Sequence, residues 1–168
     1  MPRTPSAPLR ALVFFLAWTA QAQQQLLINL PLADSPQLHR QFLYSQASFS
    51  EWLTARTTGK AAAEAADLNR KAAAAYGMKE SDYRQMDAIS STIGRELRAI
   101  DLEHKTHVNG RARYEQHPVP SVLRQLETRR EETVSRGMTQ LQRTLSADAW
   151  NSLRAYINGP YRNSVRVK

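Results

Sequence analysis

An all-α fold of about five helices, with no sheet, is predicted for this chain by three observations. Apolar residues between positions 35 and 159 recur at spacings of three and four, the period of a helix buried on one face. Ser or Pro stands where three of these stretches begin, and Gly follows four of them. Ala, Leu, Arg and Gln are common while Gly and Pro number only 6 and 8, a composition that favours helix, and no stretch of consequence alternates with the period of a strand.

The first helix is expected to start at Ser35-Pro36, a capping residue followed by proline at the first helical position. Leu38, Phe42, Phe49, Trp52 and Leu53 fall on one arc of it, and Gly59 is its natural stop. The second is the alanine-rich run 60–76, closed by Gly77 and carrying one bulky aliphatic residue, Leu68. Alanines bury little area each, so this helix depends on its neighbours. The third is predicted over 80–107. Tyr83, Met86, Ile89, Ile93, Leu97 and Ile100 form its stripe, Asp101 and Lys105 pair on the wet side, and Asn109-Gly110 ends it.

A long loop is expected over 109–120. A fourth helix follows over 120–144, with Leu123, Leu126, Val134, Met138 and Leu141 on one face. The fifth is capped by Ser146, has Asp148 in its first turn, and buries Trp150, Leu153 and Ile157 until Gly159-Pro160 stops it. The third and fourth helices, each about 35–40 Å long at 1.5 Å per residue, are predicted to form an antiparallel hairpin that the shorter helices cover. The single helical domain then spans 35–159, and 160–168 is a basic, loose tail.

The N-terminal residues read as an address. Arg3 and Arg10 are a positive beginning, residues 11–20 are an apolar run, and Ala20-Gln21-Ala22 is the small-x-small pattern of a signal-peptidase site. Cleavage is expected between Ala22 and Gln23, giving an exported protein, periplasmic or extracellular. Ten apolar residues rise about 15 Å, half the hydrocarbon thickness of a membrane. Residues 23–34 (QQQLLINLPLAD) are expected to be an extended arm with an apolar patch at Leu26, Leu27, Ile28 and Leu30.

The totals exclude several chemistries. With no Cys, the chain has no disulfide framework, thiolate metal site, cysteine nucleophile or lipid-attachment cysteine. It carries 23 Lys+Arg against 15 Asp+Glu, a net charge of +8. No helix-turn-helix, zinc finger or aromatic platform accompanies that charge, so nucleic acid is not an expected partner. Anionic envelope components, and unfolded or acidic proteins, are. The motifs of serine hydrolases, phosphate-binding loops and zinc proteases are missing, so neither catalysis nor a cofactor is expected.

Three groups of residues are candidate sites. His104 and His107, three apart beside Glu103, with His117 and Glu115 in the next loop, are the metal-ligand candidates. The competing account is that imidazoles near a helix C-terminus suit its dipole. Arg130 lies inside the apolar stripe of the fourth helix and must pair or reach solvent. Glu51 or Asp87 on a facing helix would make it a structural clamp; a ligand carboxylate or phosphate is the alternative. Arg111 and Arg113 with Tyr114 and His117 are candidates for a recognition tip, unless the loop is simply solvated.

Short pieces along the chain carry a resemblance. They are Phe42 and Gly59, Tyr76-Gly77-Met78 before Tyr83, Leu126-x-x-x-Arg130, and Leu145-Ser146-Ala147-Asp148-Ala149-Trp150-x-x-Leu153. This layout resembles a group of small exported α-helical bacterial proteins of unknown function. More distantly it is similar to the LTxxQ-type periplasmic helical proteins, which include stress chaperones. The resemblance implies export and a helical fold. The expected role is a non-catalytic envelope binding or chaperone-like protein. The alternatives are a scaffold that self-associates through the alanine-rich helix, and a metal-binding or sensing protein.

Overall fold

The computed structural model describes residues 35–165. The signal segment with its Ala22/Gln23 junction, the arm expected at 23–34 and the last residues of the tail lie outside the described residues.

The described residues are all-α, with no strand among them: α1 Pro36–Thr57, α2 Ala62–Ala75, α3 Glu80–Ala112, α4 Pro120–Thr144, and α5 Ala147–Tyr156, which continues through a π-helical turn Ile157–Tyr161 into a last turn, α6 Arg162–Ser164. No described helix is long and apolar enough to cross a membrane.

The local signals act where chemistry requires. Ser35 caps α1, its hydroxyl accepting from the Leu38 N–H at 3.5 Å, with Pro36 in the first turn. Ser146 caps α5 in the same way, accepting from the Ala149 N–H at 3.3 Å. Asp82 on α3 then accepts from both the backbone N–H and the hydroxyl of Ser146, at 3.1 and 3.0 Å. The start of α5 is thus fastened to the start of α3. After α2, Gly77 takes a positive φ of 65°, a conformation that costs glycine nothing, and the Met78 N–H closes on the Ala73 carbonyl.

α3 is the centre of the fold. Its stripe is buried at Tyr83, Met86, Ile93, Leu97 and Ile100, with Ile89 packed at the edge. α4 runs antiparallel to it. Gly137 faces Ile93, Arg136 pairs with Glu96, Arg130 with Asp101 and Arg129 with Glu103, so the numbers fall on one helix as they rise on the other. α1 crosses the opposite flank at Gly94. A Cβ built there would stand 2.3 Å from the Ala47 Cβ and 3.2 Å from the Leu43 carbonyl oxygen. Only glycine permits that approach. Leu38, Phe42, Leu43 and Ala47 of α1, Val134, Met138 and Leu141 of α4, and Leu153 and Ile157 near the C-terminus complete one continuous core.

Three expectations are corrected. α3 does not end at Asn109-Gly110; it runs to Ala112, and the loop shortens to residues 113–119. The left-handed residue is Glu115, at φ 54°, with the Gln116 N–H closing on the Arg111 carbonyl. A glycine inside a helix costs only about 1 kcal/mol, and His107 and Arg111 hold this last stretch against the start of α4. Gly159-Pro160 does not stop α5, because the wider π turn accommodates the proline. The residues just after it are not loose: Tyr161 is buried, edge-on to Phe42 at 5.7 Å, with its hydroxyl 2.8 Å from Ser45 Oγ. Gln46 of α1, a polar residue, is buried as well.

Candidate functional site

Four polar or concave regions of the described residues differ in what they leave available.

At the junction of α1, α3 and α4, Arg130 is held with its side chain 12% exposed. Its Nε donates to Asp101 Oδ1 at 2.8 Å and its Nη1 to Glu127 Oε2 at 2.5 Å. Arg40 from α1 donates to the other Glu127 oxygen at 2.8 Å, and the Tyr44 hydroxyl donates to the other Asp101 oxygen. All four carboxylate oxygens therefore have donors. Burial works against ionising Glu127, but the hydrogen bonds from Arg130 and Arg40 outweigh it and hold the carboxyl below the usual range. The balance on Arg130 has the same form: burial opposes its charge, and Glu127 and Asp101 restore it. The Tyr44 hydroxyl is pushed up by burial and by its bond to Asp101.

This is a structural clamp whose partners are not those expected. Glu51 pairs with Arg98 at 2.5 Å, and Asp87 accepts from Gln46 and Ser50, each at 2.8 Å. Asp101 does not serve a wet-side pair with Lys105; it turns toward α4. Its place beside Leu97 and Ile100, at the edge of the stripe, does not by itself mark it as inward in the sequence.

Near the start of α3 and the end of α5, four tyrosines gather. Tyr76 lies 4.5 Å from Tyr156 and 5.9 Å from Tyr83, centroid to centroid, and Tyr156 lies 6.2 Å from Tyr161. The Tyr76 hydroxyl donates to Gln46 Oε1 at 2.6 Å, and Gln46 passes the chain on to Asp87. Burial raises all four hydroxyls above the ordinary tyrosine value. Tyr76 and Tyr161 also make side-chain hydrogen bonds, and this neutral aromatic cluster fastens α2 and α5 to the core.

The far end of the α3–α4 hairpin is different. Between Ile100 and Leu126 no residue is buried. Residues 101–112 extend α3 about 18 Å beyond the last buried position. On the inner seam the aliphatic stripe gives way to His104, His107 and Arg111. His107 Nε2 accepts from the Val119 N–H at 3.1 Å, so the imidazole caps α4, whose N-cap Val119 has no side-chain bond of its own. Arg111 Nε donates to the His117 carbonyl at 3.1 Å. These contacts latch the tip.

The ring nitrogen of His107 that faces the loop is thereby engaged, and His117 is exposed. His104, His107 and His117 are not brought together as ligands: no group of three His, Asp or Glu side chains that could hold a metal ion occurs among the described residues. On the outer side stand Tyr114, 77% exposed, and Leu102, 65% exposed, the exposed large hydrophobic residues among those described. Lys105, Arg113 and Arg124 on the same projecting hairpin are also exposed. Over residues 102–124, Lys105, Arg111, Arg113 and Arg124 face only two carboxylates, Glu103 and Glu115, and Glu103 is taken by Arg129 at 2.5 Å. The structure thus keeps Arg111, Arg113, Tyr114 and His117 at one tip, with Leu102, Lys105 and Arg124 exposed further back on the same two helices.

The fourth region is a groove of about 670 Å³ between α4 and the C-terminal helices. Val134 and Met138 from α4 and Ile157 line it with Trp150, and Pro36 and His39 stand at one end.

The fold and these regions define an all-α helical bundle with a projecting two-helix tip. No protein-family model, characterised protein or solved structure matches the chain.

Proposed function

We propose that this is an exported, non-catalytic binding protein of the cell envelope that attaches through the α3–α4 tip to an anionic surface. One observation carries the proposal. The exposed large hydrophobic side chains, Tyr114 and Leu102, stand on the same projecting segment as four cations, against one carboxylate not committed to a cation there. An amphipathic aromatic ring amid arginines suits an interface of lipid headgroups or acidic polymer. Each cation near such a surface contributes about 1 kcal/mol. The N-terminal pattern of residues 1–22 supports export.

A holdase for unfolded chains would need a broad exposed apolar surface. The closed core and the small apolar area at the tip favour the anionic surface over unfolded clients. Self-association through α2 and metal sensing remain the alternative readings; α2 buries only Ala72 and Ala73.

The test is co-sedimentation of the protein with vesicles of anionic and of zwitterionic phospholipid, and with an acidic polysaccharide, at low and moderate salt. Binding to an anionic partner that weakens as salt rises is the expected result. Absence of binding to every anionic partner at low salt overturns the proposal.

A further inference from the structure

We propose that the protein lies along an anionic phospholipid bilayer with the outward arc of α3, from Arg95 to Arg113, against the headgroups; this rests on attachment through the tip and refines it. On a wheel of 100° per residue, Arg95, Arg98, Leu102, Lys105 and Arg113 fall within about 80°. Between Arg95 and Arg113 no carboxylate shares that arc. The carboxylates of this stretch are turned to α4 instead: Glu96 pairs with Arg136, Asp101 with Arg130 and Glu103 with Arg129. Of the cations on the arc, Arg98 is held by Glu51 of α1, while Arg95, Lys105 and Arg113 are exposed and form no ion pair among the described residues. The packing that satisfies the acids of α3 therefore leaves a helix face of one sign, which attracts anionic headgroups.

The length of the arc separates a flat arrangement from an end-on one. From Arg95 to Arg113 it measures about 27 Å at 1.5 Å per residue. Charge at a surface is screened within about 10 Å at 0.1 M salt, so a molecule standing on its tip would leave Arg95 out of reach. Lying along the surface brings Arg95, Lys105 and Arg113 into the headgroup field together. Leu102 selects a bilayer over a hydrated polymer. It is 65% exposed near the middle of the arc, between the short side chains of Ala99 and Thr106, which let it protrude. The apolar layer beneath the headgroups takes such a side chain out of water, and a polysaccharide has no such layer. Tyr114, which follows Arg113 and is 77% exposed, suits the same interface.

The absence of cysteine makes the test direct. Single substitutions Ala99→Cys, Leu102→Cys, Thr106→Cys and Tyr114→Cys, with Ala155→Cys on α5 as the control, each carry a polarity-sensitive fluorophore. They are mixed at low salt with vesicles of equal parts phosphatidylglycerol and phosphatidylcholine. The emission is expected to shift to the blue at positions 99, 102 and 106 as well as 114, and to stay unchanged at 155. A shift confined to position 114 overturns the flat arrangement and leaves attachment through the tip standing. Binding to an acidic polysaccharide but not to the vesicles overturns the bilayer as the partner. Absence of co-sedimentation with every anionic partner removes the tip reading, and this proposal with it. As a second readout, Arg95→Gln is expected to weaken vesicle binding about fivefold, as Arg113→Gln does, at about one cation's contribution each. Unchanged binding by Arg95→Gln beside weakened binding by Arg113→Gln confines the contact to the tip and overturns the proposal.

Discussion

The two ends of α3 have the same secondary structure and opposite surroundings. From Tyr83 to Ile100 the helix is enclosed: α1 crosses it at Gly94, α4 packs at Ile93, and the tyrosines and Asp82 fasten α2 and α5 to its start. From Asp101 to Ala112 no residue is buried, and the inner seam is held by an imidazole, a guanidinium and backbone groups. The first half is where stability resides, since apolar burial is the dominant favourable term in folding. The second half contributes little to a core, and its exposed cations and aromatic ring are free to meet a partner. The Arg130 clamp stands at the boundary, joining α1, α3 and α4 where the core ends.

The comparison is broken most easily at Leu97, which is fully buried. Leu97→Ala is expected to cost about 2–5 kcal/mol, measured by denaturant unfolding. Leu102→Ala, five residues along the same helix, is expected to stay within about 0.5 kcal/mol of the parent. Similar losses from both would mean that the tip belongs to the core.

Gly94→Ala comes next, at about 1–3 kcal/mol, because the new methyl meets the Ala47 methyl and the Leu43 carbonyl. Adding Ala47→Gly is expected to recover part of the loss, a coupling that a double-mutant cycle reads directly.

The clamp is expected to be worth less. Its carboxylates are nearly half exposed, so solvent screens them, and Arg130→Gln is expected to cost roughly 1–2 kcal/mol. The sign of its pH dependence follows from Glu127. The folded state favours the ionised carboxylate and lowers its pKa. That stabilisation is present above the ordinary glutamate value of about 4.3 and is lost as pH falls through the lower folded value. Melting temperature is therefore expected to drop on acidification below that value, and to drop less steeply in Arg130→Gln. Parallel curves for the two proteins would remove Glu127 from the clamp.

His107→Ala is expected to have the smallest effect on global stability, below about 1 kcal/mol, as for loss of a helix cap. Its signature is local: faster amide exchange at Val119, with the amides of α3 around Leu97 unchanged.

Much of this architecture was legible in the sequence. The caps Ser35 and Ser146, the proline starts of α1 and α4, and the stripe from Tyr83 to Ile100 act through neighbours three or four residues away, and such signals lie within one segment. Asp101 and Gln46 were not legible as inward residues. A polar side chain at the edge of a stripe reads as solvated until its partner is known, and Arg130 and Asp87 come from other helices. The length of α3 and the passage of the C-terminal helix through Pro160 failed for the same reason. Asn109-Gly110 and Gly159-Pro160 are stop signals of modest strength, and contacts with α4 and α1 outweigh them. At the tip, Arg111, Arg113, Tyr114 and His117 were identifiable because they are consecutive or nearly so. Arg124 shares the end of the hairpin only through the antiparallel pairing of α3 and α4, and Leu102 stands on α3 itself, ten residues before its end.

The measurement that tests the central claim most directly is anionic-vesicle binding by a variant carrying Lys105→Ala, Arg113→Ala and Tyr114→Ala, set beside its melting temperature. These side chains are exposed, so the melting temperature is expected to stay at that of the parent. Binding at low salt is expected to weaken roughly thirtyfold from the two lost cations alone, at about 1 kcal/mol each, and further from the loss of the ring. A variant that melts like the parent and binds as tightly would contradict the account and show that the tip is not the attachment site.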